Sequence, residues 1–245
     1  MSVGAGAEAT GFLYPFIDGQ EKGTECLLTD LASSARSKVQ ESSALQCSTL
    51  VDCAEMLANA GAEMAARFAS GGRMYAFGNG GSSTDAATFA ALFAQPITGR
   101  PLPALNLAAD QAVLTALGND VGFELVFSRQ IIAHSHSRDI AVAMSTSGSS
   151  ADLMTALGEA SRRGLLTIGF AGYDGGQMAG ATEVDYCFVV GSQSIHRIQE
   201  SQALLGYELW ATVQRHLAAD QHLGTDQHRA ADKAAPMSQG PGGTA

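Results

Sequence analysis

Met74-Tyr75-Ala76-Phe77-Gly78-Asn79-Gly80-Gly81-Ser82-Ser83 decides how the chain is read: four apolar residues run into a turn of glycine, asparagine and serine. A short apolar run bounded by glycine reads as a buried strand, and Ser at the far side of the turn opens a helix. The design recurs downstream. Ile140-Ala141-Val142-Ala143-Met144 is followed by Ser145-Thr146-Ser147-Gly148-Ser149-Ser150 and then by Ala151-Asp152-Leu153-Met154. Each turn offers backbone N–H groups and hydroxyls at the positive end of a helix, an arrangement suited to phosphate. Two such turns in one chain make a phosphorylated small molecule the leading ligand class.

Working outward, strands and helices alternate. Residues 24–70 read as two helices, with Leu50, Cys53, Ala54, Leu57, Met64 and Phe68 at helical spacing and Gly71-Gly72 as the stop. Strands are expected over 73–77, 103–107, 139–144, 165–170 and 184–190. Helices are expected over 82–94, 110–117, 121–135, 150–163, 174–179 and 195–219. This alternation indicates an α/β domain whose parallel sheet is covered on both faces. Ligands of such sheets bind beyond the carboxyl ends of the strands, where both Ser/Gly turns fall.

The organisation expected is an N-terminal arm over 1–23, a single domain over 24–223 and a disordered tail over 224–245, which is polar and rich in Pro, Gly and Ala. Phe12-Leu13-Tyr14-Pro15-Phe16-Ile17 reads either as an arm lying on the domain or as a docking peptide for another chain.

The formal net charge of −10 argues against direct binding to nucleic acid or to an anionic membrane surface. There is no stretch of about 20 apolar residues and no basic-then-apolar leader, so a cytoplasmic protein is expected. Cys26, Cys47, Cys53 and Cys187 form no CxxC pair and read as buried free thiols.

Candidate site residues follow from residue type. Ser82 and Ser83 open the first helix; Ser145, Thr146, Ser147, Ser149 and Ser150 put five hydroxyls into six positions, more than helix capping requires. Gly78, Gly80 and Gly81 allow close approach to a ligand. Asn79 suits either a hydrogen bond to a sugar hydroxyl or a left-handed turn. Asp120 sits in Asn119-Asp120-Val121-Gly122, which reads as a plain turn or as a sugar ligand. His196 and Glu200, four apart on one helix face, fit an acid and base for proton transfer or, more plainly, a cap and a surface ion pair.

GNGGSSTDAATFA, GND, STSGSSADLMTAL, AGYDGGQMAG and HRIQE, in this order, resemble the SIS (sugar isomerase) domain over roughly residues 45–220. They look closest to its phosphoheptose isomerase branch, which converts sedoheptulose 7-phosphate to a heptose 7-phosphate. The resemblance implies a five-stranded parallel sheet flanked by helices in a Rossmann-like three-layer sandwich, and a homotetramer with sites between subunits. It implies that Ser82, Ser145, Ser147 and Ser150 hold the phosphate with help from Thr146, and that Asn79, Gly80, Gly81, Asp120 and Gln199 line the sugar site.

The family's isomerases carry His and Glu where this chain has Thr88 and Leu92, and His where it has Tyr207; Gln199 alone matches their metal set. Leucine neither ligates nor accepts a proton, and threonine and tyrosine are poor replacements for imidazole. No zinc and no other cofactor is therefore expected. A related branch of the fold is a non-catalytic adaptor for the bacterial replication initiator. The expectation is a phosphosugar-binding sensor or adaptor. The alternatives are an aldose–ketose isomerase using Glu200 and His196, and a structural subunit docked through the N-terminal arm.

Overall fold

The computed structural model describes residues 24–234, with side-chain surroundings for 27–219. The N-terminal arm, including Phe12–Ile17, lies outside the described residues. Compactness divides the chain into two units, Met1–Ala44 and Leu45–Ala245, and the second carries the sheet.

Helices α1 (Thr24–Asp52) and α2 (Ala54–Ala69) precede the sheet. The break between them falls at Cys53, so Leu50 belongs to α1. Helix α2 is amphipathic: Leu57, Ala60, Gly61, Met64, Ala65 and Phe68 form its buried stripe. It ends because Gly71 takes φ +83° and the Gly72 N–H bonds back to the Arg67 carbonyl, a closure that satisfies late helix carbonyls.

Then follow β1 (Met74–Gly78), α3 (Gly80–Ala94), β2 (Ala104–Asn106), α4 (Gln111–Asp120), a 3-10 turn (Phe123–Leu125) and α5 (Val126–His134). Strand β3 (Ile140–Met144), α6 (Ala151–Arg162), β4 (Leu166–Gly172), α7 (Gly176–Gly180), β5 (Tyr186–Val190) and α8 (Ile195–Ala234) complete the order.

The five strands pair in parallel in the order β2-β1-β3-β4-β5. Strands β1, β3 and β4 are buried along their whole length, which is why they read as unbroken apolar runs. Their alternate residues divide two cores. Met74, Ala76, Ile140, Val142, Met144 and Phe170 pack against α2, α3 and α8 through Leu57, Met64, Phe89, Phe93, Leu205 and Leu209. Tyr75, Phe77, Ala141, Ala143 and Ala171 pack on the other face against Phe127, Ile131, Leu153, Leu157 and Met178. The parallel sheet covered on both faces, indicated by the alternation, and the five-stranded three-layer sandwich, implied by the resemblance, are the observed architecture.

Two features differ from expectation. Helix α8 runs through Gly224 to Ala234 instead of ending near 219. A single glycine in a helix costs only about 1 kcal/mol, and no proline interrupts the chain until Pro236; of the expected disordered tail, residues 235–245 lie outside the described ones. The thiols are also less uniform than expected. Cys53 is buried, Cys187 half-buried and Cys47 exposed, because Cys47 sits on the outer side of α1. Burial, with Cys53 nearby, pushes the Cys187 thiol up to about 11. No described helix is long and apolar enough to cross a membrane.

Candidate functional site

In the strand order, the chain steps from β1 outward to β2 and then returns to the other side of β1 with β3. The connections leaving β1 and β3 therefore diverge, opening a crevice above their carboxyl ends, which is where open α/β sheets bind ligands. The two Ser/Gly corners are the segments that leave these two strands. Gly78 pairs with Met144 in the last register position, so the corners start side by side. A Cβ at Gly78 would stand 2.7 Å from both the Met144 and Ser82 carbonyl oxygens. Only glycine permits this approach.

In the first corner Asn79 is extended (φ −111°, ψ 150°) and Gly80 takes the left-handed conformation at φ +53°. The left-handed turn considered for Asn79 thus belongs to its neighbour. The Asn79 amide instead donates to both oxygens of Asp152, at 3.0 and 2.8 Å. Asp152 is 4% exposed in the first turn of α6, where the helix dipole favours a carboxylate. This pair bridges the two corners and leaves the Asn79 Oδ1 as an acceptor. Replacing Asp152 with alanine should cost about 2 kcal/mol by stranding that amide, read as a lowered denaturation midpoint; an unchanged midpoint would remove the bridge from the account.

In the second corner the Ser145 Oγ accepts the Gly148 N–H at 3.0 Å and lies 3.4 Å from the Ser147 Oγ. Ser145 is buried and Ser147 exposed. Ser149 is turned to another purpose: its Oγ accepts the Gln177 N–H from the corner after β4. That third corner, the AGYDGGQMAG motif, braces the second through Gly172 N–H to Thr146 O and Met178 N–H to Gly148 O.

The capping pattern separates these helix starts from an ordinary one. Asp110 caps α4 by accepting the Ala112 and Val113 N–H groups. Asn79 before α3 and Ser150 before α6 make no side-chain capping bond. Capping alone therefore does not account for the hydroxyls at the second corner. Neither corner carries Lys or Arg.

Helix α8 reaches both corners. The Gln199 Nε2 donates to the Asp85 Oδ2 at 2.6 Å, and a Cβ on Gly81 would lie 2.8 Å from that nitrogen. One turn on, Gln202 is fully buried and donates to the Ser145 carbonyl at 2.8 Å. Asp152 and Gln202 were not among the residues expected from sequence. Gln202 stands three residues past Gln199, hence on the same face, a spacing that would have found it.

Asp120 ends α4, exposed, and accepts from Asn119 at 2.9 Å; among the described residues no hydrogen bond joins it to either corner. His196 and Glu200 are both exposed at the start of α8. Neither lines the cavity of about 90 Å³ between α3 and α8, which is bounded by Asp85, Thr88, Phe89, Leu92, Met144, Gln202, Ala203, Gly206 and Tyr207.

That cavity gathers the three positions where the family's isomerases carry metal-site side chains. Here they present a hydroxyl that already donates to the Thr84 carbonyl, a hydrocarbon and a phenol, beside Phe89 and Met144. None of the three is an imidazole, a thiolate or a carboxylate, the usual ligands of zinc. Among the described residues no three His, Cys, Asp or Glu cluster in a metal-holding arrangement.

The fold and its two phosphate-type corners define a class, and sequence comparison agrees. The SIS domain model matches residues 39–172, and the chain belongs to that family. It is 39% identical over 183 residues to phosphoheptose isomerase of Solidesulfovibrio magneticus, covering 74% of this chain and 88% of the relative. It is 39% identical over 176 residues to the enzyme of the same name from Rhodospirillum rubrum, covering 69% and 90%. The solved phosphoheptose isomerase of Neisseria gonorrhoeae superposes with a TM-score of 0.69 at 32% identity, covering 75% of this chain and 98% of that one. The structure from Francisella tularensis gives 0.70 at 28%, with the same coverage. The chain is thus an SIS-domain relative of the phosphoheptose isomerases.

Proposed function

We propose that this chain binds a phosphorylated sugar, with its phosphate at the corners after β1 and β3, and that it does not perform the metal-assisted isomerisation of its relatives. The observation that carries the first half is the uncapped pair of adjacent helix starts with Ser82, Ser145, Thr146, Ser147 and Ser150 around them. The relatives' names support a phosphorylated heptose as the ligand class. The second half rests on Thr88, Leu92 and Tyr207. A sensor or adaptor in the cytoplasm, assembled as a homo-oligomer, is the role that fits binding without this chemistry.

The test is a calorimetric titration with sedoheptulose 7-phosphate, run beside Ser147→Ala. Ser147 is exposed, so its loss leaves folding intact. One hydrogen bond to a charged phosphate is worth about 1.5–3 kcal/mol, so affinity should fall roughly 10- to 100-fold. Equal affinity in the two proteins would place the phosphate elsewhere.

A second reading is favoured by the identity to named isomerases over most of the chain: an aldose–ketose isomerase using Glu200 and His196. It requires deuterium from solvent to enter the sugar at the reacting carbon, and Glu200→Gln to stop it. Absence of incorporation discards that reading.

A further inference from the structure

The cavity between α3 and α8 adjoins the second corner, because Met144, which lines it, is the residue before Ser145. Among the residues around it Asp85 alone carries a charge at neutral pH, and no Lys, Arg or His borders the space. Asp85 is half-buried on α3. Its Oδ2 accepts the Gln199 amide, a neutral partner, and among the described residues no cation pairs with it. Hydrocarbon from Leu92, Met144 and Ala203 shares the cavity wall. A carboxylate drawn partly out of water is best satisfied by an opposite charge.

A divalent ion asks for at least four ligands, and among the described residues no three His, Cys, Asp or Glu gather to supply them. An ammonium asks for less. One of its N–H groups can meet the carboxylate in a charge-assisted bond. The Thr88 oxygen, whose proton is engaged by the Thr84 carbonyl, can accept another. The Tyr207 ring at the rim attracts a cation to its face. The other polar groups of the wall, the Gln202 amide and the Tyr207 hydroxyl, are neutral and leave the sign of the cavity negative. The formal charge of −10 acts in the same direction, since a phosphate ligand that also carries an ammonium is repelled less than a plain dianion.

We propose that the end of the ligand lying in this cavity carries a protonated amine, which makes aminodeoxy sugar phosphates the preferred ligands of the site. This specificity rests on the phosphate site proposed above and names the substituent at the ligand's other end.

Glucosamine 6-phosphate and glucose 6-phosphate form the matched pair. They differ by an ammonium in place of one hydroxyl, on the ring carbon opposite the one that bears the phosphorylated arm. Calorimetry on the full chain, at an ionic strength of about 0.15 M to screen distant charges, should favour the amine by roughly tenfold or more. Asp85→Asn keeps the shape and an oxygen for Gln199 but removes the charge, and should bring the ratio of the two dissociation constants to about one. Thr88→Lys sets an ammonium of the chain's own three residues along the same helix face; Thr88 is exposed, so folding tolerates the change, and the preference should vanish or reverse. The ratio is the readout because a general weakening of the phosphate corner cancels from it. A wild-type ratio near one, or a preference that survives in either variant, overturns the proposal. Inorganic phosphate tells the two failures apart. If it binds while the ratio is one, or while neither hexose phosphate binds more tightly than phosphate itself, only this specificity falls. If none of the three binds, the phosphate site falls as well.

Discussion

The triple variant Thr88→His, Leu92→Glu, Tyr207→His should bind one zinc ion per chain, with a dissociation constant in the micromolar range or tighter, where the parent binds none at stoichiometric concentrations. All three positions already line one cavity. Thr88 and Leu92 are four apart on α3, so their side chains share a face. Gln199 stands beside them, bonded to Asp85. The change replaces a hydroxyl, a hydrocarbon and a phenol with two imidazoles and a carboxylate, which are ordinary zinc ligands. A micromolar constant corresponds to about 8 kcal/mol, far more than any single substitution discussed above. The measurement is metal content after dialysis, with zinc titration of the apo protein. If the parent holds zinc as firmly as the variant, the reading of Leu92 as the break in the donor set is wrong.

Gly148→Ala should be the most damaging single change to stability at the site. Gly148 has φ +63°, and a Cβ there would lie within 3 Å of the Gly175 backbone. The left-handed conformation costs about 1–2 kcal/mol for a residue with a side chain, and crowding in a packed region adds about 1–3 kcal/mol. The clash is with main chain, which cannot rotate away, and it pries apart the second and third corners. A total of about 4 kcal/mol would lower the melting temperature of a domain this size by roughly 8–16 °C, and phosphate binding should fail with it. A thermal melt within a few degrees of wild type would show that the corner yields without strain.

The strands and both Ser/Gly corners were legible in the sequence because the signals are local. Ile140–Met144 is buried on both faces and so reads as an unbroken apolar run, and Gly78 and Gly148 mark the bends that follow. What escaped was non-local. Asn79 and Asp152 lie 73 residues apart in sequence, and no periodicity announces that an amide on one corner will meet a carboxylate on the next. Gln202 escaped although its spacing from Gln199 puts both on one helix face; its bond to the Ser145 carbonyl, 57 residues away in sequence, appears only when α8 is laid across that corner. The end of α8 was misplaced because Gly224 and the polar residues after it resemble a tail. They are also adequate helix formers in the absence of proline.

The absence of lysine and arginine from both corners has a consequence for how an anion arrives. Neutral hydroxyls and backbone amides act at contact range, whereas the overall charge of −10 reaches farther and repels a dianion. Such a site lacks the long-range steering that cation-lined clefts enjoy. Screening by added salt shortens the repulsion. Encounter with a sugar phosphate therefore quickens as ionic strength rises, the opposite of what a lysine-lined pocket does.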